Sequence, residues 1–593
     1  FPWDSPYDEN GDLIQQYRPT DWVNSDATNY LYDLQWNYEK KTSYEFMGNF
    51  DFDIKFTDWL TFASVNSYKY NNILFKGYND PRSKAGEADN GLLQDKTTTS
   101  YRVYSNQLLR FNKVFDKHSI NAILAYEWNS YTREIKDQTA ASFAPGFSVA
   151  DVATTPKTIK GSQEEWAVQS YLFNANYAYD NRYLLDANIR MDGASVFGSN
   201  KHYTETWAVG LAWNLHNESF LREVDWIGMI KFRASIGNPG NQNFDAYRSY
   251  TTYSFNNWIS NNFGTSVLID ALGNPDLKWQ KTIDKNIGAD LSFFNNRFNI
   301  NFDYYQKKTD PLLAVISVPS SVGTKTVTTN MGEQRNTGFS GTVKYSPIYR
   351  PKDRINWTLS LNFRHQKAEY RNIGNSLDQF NQENKNSSLD RYYDGGSPTA
   401  LWAVRSLGID PANGQEVFVK KDGTYSYTYD TKDEVKVGDS EPDVEGVIGS
   451  TLYYKGFSFS VHLRYSLGGD VFNKALYSKV ENISETNLKY NQDKRALYDR
   501  WEKPGQHARF KKISLTETTP MSSRFVKTEN FLKGESFSVG YDFPKEWIEK
   551  IGFSALRLQA NMNDIFRKSS VKEERGIDYP FARTVSASVS VTF

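Results

Sequence analysis

The chain has no cysteine and only six histidines among 593 residues. That removes disulfide scaffolds, zinc ribbons, iron–sulfur clusters and thiol nucleophiles in one step. It also lacks an unbroken apolar run of the about 18 residues that a membrane-crossing helix needs. Neither sign of charge is in excess: 69 basic side chains stand against 70 acidic ones. A nucleic-acid binder would usually carry a basic surplus. The opening Phe1-Pro2-Trp3-Asp4-Ser5-Pro6 has no initiator methionine, basic segment or apolar segment, so it does not read as a signal peptide. What the chain has in abundance is aromatic side chains, 16% of all residues, which is far more than a disordered chain carries.

Those aromatics follow a period of two. From Val585 to Phe593, Val585, Ala587, Val589, Val591 and Phe593 alternate with Ser586, Ser588, Ser590 and Thr592. Successive side chains of a strand point to opposite faces, so this is one apolar and one polar face. Tyr44, Phe46, Phe50, Phe52, Ile54 and Phe56 alternate in the same way with Glu45, Asn49, Asp51, Asp53 and Lys55. Trp357, Leu359, Leu361 and Phe363 follow the rule, as do Phe457, Phe459, Val461 and Leu463, and Leu556, Leu558, Ala560 and Met562. About seventeen such segments are expected, most of them about 10–14 residues long. Strands of soluble proteins average about 5–6 residues, whereas a tilted membrane-crossing strand needs about 9–11.

The links between segments alternate as well. Thr57-Asp58, Asp116-Lys117, Asp180-Asn181, Asn295-Asn296 and Lys455-Gly456 are hairpin-turn dipeptides. Between them lie long links near residues 71–99, 136–164, 239–277, 309–335, 368–445 and 468–530. Tight turns at one end and long loops at the other are the mark of an outer-membrane barrel, with the turns periplasmic and the loops outside. Hydrocarbon offers no partner to a free strand edge, so the sheet is expected to close. With Phe593 at the periplasmic rim, counting back makes the first segment, Tyr44–Phe56, run inward and puts residues 1–43 outside. Closed single-chain barrels have an even number of strands, so at least one further strand is expected before Phe1.

Several short motifs then resemble those of the SusC/RagA family of TonB-dependent outer-membrane transporters. They are, in chain order, Arg190-Met191-Asp192-Gly193-Ala194-Ser195-Val196-Phe197-Gly198, Gly237-Asn238-Pro239-Gly240-Asn241-Gln242, Asn274-Pro275-Asp276-Leu277-Lys278-Trp279, Asn330-Met331-Gly332-Glu333-Gln334-Arg335-Asn336, Gly408-Ile409-Asp410-Pro411-Ala412-Asn413-Gly414, and Gly576-Ile577-Asp578-Tyr579-Pro580-Phe581-Ala582-Arg583-Thr584. The resemblance implies an all-β, transmembrane antiparallel barrel of 22 strands, with residues 1–593 forming its C-terminal part. The signal peptide, carboxypeptidase-like domain, TonB box, plug and first strands would then lie upstream. It further implies TonB-energised import of oligosaccharides or oligopeptides, a SusD-like surface lipoprotein as lid, and the outer membrane of a Gram-negative, Bacteroidota-like cell. Outer-membrane lipid, a glycan or peptide ligand and a dimer of transporter–lipoprotein pairs complete the implied partners. The alternatives are a passive porin or secretion barrel, and a siderophore-type receptor without a lid.

Candidate functional residues are few. No histidine has a nucleophile or metal motif beside it, so no catalytic residue is expected. His365 and His462 are expected on polar strand faces. Asp430, Asp433, Glu434, Asp439, Glu441, Asp443 and Glu445 offer hard oxygens to calcium, but their spacing is not that of an EF-hand, and no cofactor or metal is expected. Trp258, Tyr392 and Tyr393 lie in long loops and are the expected substrate contacts, since a flat ring suits a sugar face or a peptide side chain. The alternative is that these rings pack loop against loop or against a partner. Tyr44, Trp59 and Trp279, at strand ends, are expected in the interfacial belts.

Overall fold

The computed structural model describes residues 5–15, 29–196, 202–240, 250–261, 264–374, 376–485, 492–572 and 583–593. Seventeen long strands form one antiparallel sheet in which each strand pairs with the next in sequence. They are β1 (Tyr38–Thr57), β2 (Leu60–Asn79), β3 (Leu92–Phe115), β4 (His118–Ala141), β5 (Thr155–Tyr179), β6 (Tyr183–Ala194), β7 (Tyr203–Asn214), β8 (Ile227–Asn238) and β9 (Thr282–Phe293). The series continues with β10 (Phe298–Thr309), β11 (Glu333–Arg350), β12 (Ile355–Arg371), β13 (Val444–Tyr454), β14 (Phe457–Phe472), β15 (Val526–Asp542), β16 (Ala555–Ser569) and β17 (Thr584–Thr592). The number of strands is the one the alternation predicts.

Their length is not. β3, β4 and β5 run for 24, 24 and 25 residues, so strand continues through most of the stretches read as loops at 71–99 and 136–164. The actual links there are residues 80–91 and 142–154. β1 likewise begins at Tyr38 instead of Tyr44. Backbone pairing needs no lipid, and above the apolar band the ladder continues through threonines such as Thr97, Thr98 and Thr99, which carry no apolar signal.

The links do segregate by end. Six links at one end hold two to four residues, while 239–281, 310–332, 372–443 and 473–525 stand at the other. Positive φ at Asp116 (49°), Asp180 (51°), Asn295 (55°), Lys455 (45°) and Gly456 (99°) shows the left-handed residues that primed hairpin turns require. Two links on the short side, 215–226 and 543–554, are longer and contain short helices. Phe593 follows β17 on the short-link side, its ring 5.3 Å from Phe553.

Register lets one face be followed across the wall, because directly paired residues share a face. Leu291, Ile300, Val343, Leu361, Ile448 and Leu463 form a continuous apolar row over six strands. Ile189, Ile287, Leu211, Leu124, Val585 and Val589 on this face are each more than half exposed, so they fill no protein core. This is the side built for lipid. It includes an exception that obeys the same physics: Ser64, Asn66, Ser105 and Gln107 lie on the apolar face but hydrogen-bond one another at 2.8–3.4 Å. Polar groups in hydrocarbon are tolerated when mutually satisfied.

The rim residues divide. Tyr44 and Trp59 are exposed on the outer side, and Trp59 rests 5.3 Å from Phe111 at the turn end. Trp279, by contrast, is 3% exposed and packs with Ala194, Val196, Trp166 and Val168, so it is a loop-core residue and not part of a belt. His365 corrects a second expectation. It continues the apolar series of β12, paired with Phe339, and so stands on the outer face, whereas His462 points inward toward Ser536. The expected closure is not seen within the described residues: β1 pairs only with β2 and β17 only with β16. These two strands are also almost wholly exposed on both faces.

The link 80–91 is held by one buried carboxylate. Asp80 accepts from Arg82 Nε (2.7 Å), Arg82 Nη2 (3.0 Å) and the backbone N–H of Gly146 (2.8 Å), tying this link to 142–154. The Arg82 guanidinium holds its carboxyl well below the usual carboxylate range. A depressed carboxylate stabilises above its unfolded value of about 4, and the contribution fades as pH falls toward the folded value. Asp80→Asn should therefore weaken this junction by about 1–3 kcal/mol at neutral pH. Hydrogen exchange in residues 80–91 and 142–154 checks it: exchange faster than wild type at pH 7, with the difference shrinking under acid, is the expected result.

Candidate functional site

The inner face is a lining of ion pairs. Arg190 lies 2.6 Å from Asp192, 3.1 Å from Glu127 and 2.8 Å from Ser170, joining β4, β5 and β6. Arg233 reaches Asp290 at 3.1 Å and Asp303 at 2.7 Å across β9. It can cross because Gly288 stands beneath it, where a Cβ would come within 2.7 Å of the guanidinium carbon. Arg364–Glu445 (2.9 Å) and Arg464–Glu535 (2.7 Å) continue the lining. Opposite charges on neighbouring strands keep this face polar, with two carboxylates to each of Arg190 and Arg233.

Above it, the two longest links fold into one body. Phe472, at the end of β14, packs against both the Leu476–Val480–Phe510–Phe525 cluster and the Leu389–Leu401–Ala403 cluster. At their junction Arg524 bridges Glu416 (3.1 Å) and Glu481 (2.9 Å), three charges that are nearly solvent-free. Ser522 donates to Glu416 and Thr519 to Glu481, so the remaining oxygens are satisfied too. A second buried pair, Arg391–Glu434 (2.8 Å), locks the first loop internally. Of these five ionic partners only Glu434 stands out in the sequence. Nothing local marks the others, because Glu416 and Arg524 lie 108 positions apart.

Between these loops lies a cavity of about 620 Å³, lined by Phe418, Tyr427, Tyr429, Trp501, Lys511 and Lys512 among others. That volume is within the usual range for small-ligand sites. Trp501 donates through Nε1 to the Pro411 carbonyl (2.9 Å) and its ring covers Gly414, where any Cβ would collide at 2.4 Å. Burial pushes the Tyr429 hydroxyl up to about 12, so it stays neutral. Tyr427 donates to Asp410 at 2.5 Å.

The expected contact residues lie elsewhere. Tyr392 is half-buried between Phe380 and Tyr370, with ring centroids at 5.5 and 5.8 Å, and Tyr393 packs on Trp402 at 4.8 Å. Both pack loop against loop and neither lines this cavity. Trp258 is in the loop strand Thr252–Asn261, and its side chain lies outside the described residues. The acidic stretch disperses among separate partners: Glu434 to Arg391, Asp439 to Lys436, Glu441 and Glu445 to Arg364. Among the described residues no three histidine or acidic side chains are placed to hold a metal ion.

The motifs act as pins. Asn330 receives the Lys278 N–H (2.7 Å) and donates to the Lys278 carbonyl (2.9 Å), and Asn238 joins Glu205 to Thr282. Glu333 is buried between Lys308 and Arg335, both at 2.8 Å. Phe197, Gly198, Asn241, Gln242 and residues 576–582 lie outside the described residues.

The family model described as "TonB dependent receptor-like, beta-barrel" matches residues 1–563. The chain belongs to this family. Among curated relatives, the TonB-dependent receptor SusC of Bacteroides thetaiotaomicron is 26% identical, the match covering 100% of this chain and 61% of SusC. The TonB-dependent receptor P39 of Formosa agariphila is 24% identical over 86% of this chain and 54% of its own length. The structure of the RagAB peptide transporter superposes with a TM-score of 0.87 at 20% identity, covering 99% of this chain and 66% of that one. The chain thus spans only a little over half the length of the first relatives it matches. The SusC/RagA resemblance drawn from the motifs agrees with these matches, and this is a family of receptors and transporters.

Proposed function

We propose that this TonB-dependent receptor barrel is the wall and extracellular mouth of an outer-membrane importer for oligosaccharides or oligopeptides. The observation that carries the reading is the pair of long links, 372–443 and 473–525, folded through Arg524, Glu416 and Glu481 into one platform above an ion-paired inner face. A pore that only let solutes diffuse would gain nothing from ordering so much chain over its mouth. The cavity beside Trp501 offers ring faces to a sugar or an apolar side chain and two lysines to a carboxylate. The platform would meet a SusD-like surface lipoprotein as lid, and two such pairs would associate as a dimer. Further strands would pair with the free edges of β1 and β17, and a plug with its TonB box would fill the lumen. TonB would bind that box by strand addition.

The test uses the full-length protein in its own cells. Detergent-solubilised membranes should yield a co-purifying lipoprotein together with a bound glycan or peptide, and deletion of the TonB box should abolish uptake of that ligand. Uptake that survives the deletion supports the passive barrel instead. Energised uptake with no lipoprotein supports the siderophore-type receptor.

A further inference from the structure

The outer face changes character along β9–β12. The row Ile287, Tyr304, Phe339 and His365 is the last apolar one; one pair of residues further toward the loops it becomes Lys285, Gln306, Thr337 and Lys367. The next row adds Lys308, Arg335 and Glu369. From the all-apolar row through Leu291 to Lys285 is six residues, or roughly 20 Å of strand. The change therefore falls where acyl chains give way to headgroups. At this level a cleft of about 610 Å³ opens on the outer side, lined by Gln306, Arg335, Thr337, Lys367 and Arg371 of the wall and overhung by residues 436–443.

Charges within the cleft are largely spoken for. Glu369 pairs with Arg371 at 2.5 Å and Asp439 with Lys436 at 2.8 Å, while Glu441 turns away to Arg364 of the inner lining at 3.3 Å. Arg335 and Lys308 share Glu333, and the Asp443 carboxylate lies against Gly468. Lys367 and, at the far end of the row, Lys285 are exposed and have no ion-pair partner among the described residues. Between them Gln306 and Thr337 present neutral hydrogen-bonding groups. Two uncompensated ammonium groups flank polar, uncharged side chains on the lipid side of the wall. A solvated cation row facing open water would serve no ligand, but here the facing phase is the membrane's own headgroup layer.

We propose that this cleft and the strand beside it bind the phosphorylated sugar headgroup of an outer-leaflet glycolipid, with Lys367 in the cleft and Lys285, next to Gln306 at its edge, contacting phosphate, and Gln306 and Thr337 contacting hydroxyls. Basic side chains at headgroup level attract anionic lipid by charge, and neutral hydrogen-bonding groups between them suit a sugar. The site lies outside the lumen and takes no part in the transport reading, although it rests on the outer-membrane placement.

The full-length protein, extracted in mild detergent and stripped of lipid, is mixed with lipid A, with lipid A lacking its phosphates, or with inorganic phosphate alone, and retained ligand is read by native mass spectrometry. Wild type should retain phosphorylated lipid A about tenfold or more above K285Q/K367Q, should not retain the dephosphorylated form, and should not exchange the lipid for inorganic phosphate. K307Q, on the inner face, should match wild type. Equal retention by wild type and K285Q/K367Q overturns the proposal, as does equal retention of the two lipids or capture of inorganic phosphate only. The heat-modifiable gel shift of each variant reports separately on the barrel, so loss of lipid with the shift intact belongs to the site, while absence of the shift in wild type would contradict the membrane placement itself.

Discussion

Arg524→Leu should unfasten the extracellular platform while leaving the wall intact. Arg524 sits between Glu416 and Glu481, and all three are nearly inaccessible to water. Removing the cation leaves two carboxylates buried without compensation, which typically costs about 3–5 kcal/mol. Loops open locally at a lower free energy than the core of a fold, so a loss of this size should expose residues 473–525 to limited proteolysis. The gel shift of the folded barrel should be unchanged, because strand pairing does not pass through Arg524. A charge-free version provides the control: replacing Arg524, Glu416 and Glu481 together by leucine or methionine should recover part of the protection, since apolar replacement of a whole buried ionic group is often neutral. Protease resistance in Arg524→Leu equal to wild type would show that the platform is held by its aromatic clusters alone.

The second large effect concerns the wall. Ile189 lies near the middle of the apolar band on β6, opposite Phe173 and Trp207, and is 51% exposed to the outside. Ile189→Arg would place a guanidinium in hydrocarbon, costing about 2–4 kcal/mol near the bilayer midplane. Its neighbour Asn188 faces inward, opposite Asn174 and Ala208. The same substitution there meets water and ion pairs, and the barrel should fold with a change within about 0.5 kcal/mol. The contrast follows from strand periodicity alone, without any appeal to local packing.

Much of this fold is legible in the sequence because one rule repeats. A strand between lipid and water must alternate, so Val585–Phe593 and Trp357–Phe363 declare both their conformation and their faces. Turn dipeptides such as Lys455-Gly456 then separate one segment from the next. The rule stops at the membrane's edge. In Asn72–Asn79 and Leu92–Thr99 the ladder continues in water, where nothing demands apolar residues, and these stretches look like loop. Trp279 departs from the belt for a related reason: an aromatic at a strand end suits a belt, but Ala194 at the end of β6 and Val196 just beyond it bury the ring.

The candidate site was much less legible. The motif residues Asp192, Asn330 and Glu333 stood out in the sequence, and each proves to pin backbone or a neighbouring charge. The cavity residues Trp501, Tyr427 and Tyr429 did not stand out, because their meeting depends on two loops folding together. Gly414 beneath Trp501 carries a trace of that contact, visible only once both partners are known. Tyr392 and Tyr393 stand out only as loop aromatics, and that criterion does not separate a ring facing solvent from one packed on Phe380 or Trp402.

The most direct measurement is the unfolding free energy of the full-length protein in lipid bilayers for Ile189→Arg and Asn188→Arg side by side. A loss of about 2–4 kcal/mol is expected for the first and almost none for the second. Equal losses, or a larger loss for Asn188→Arg, would mean that the apolar side chains do not face lipid.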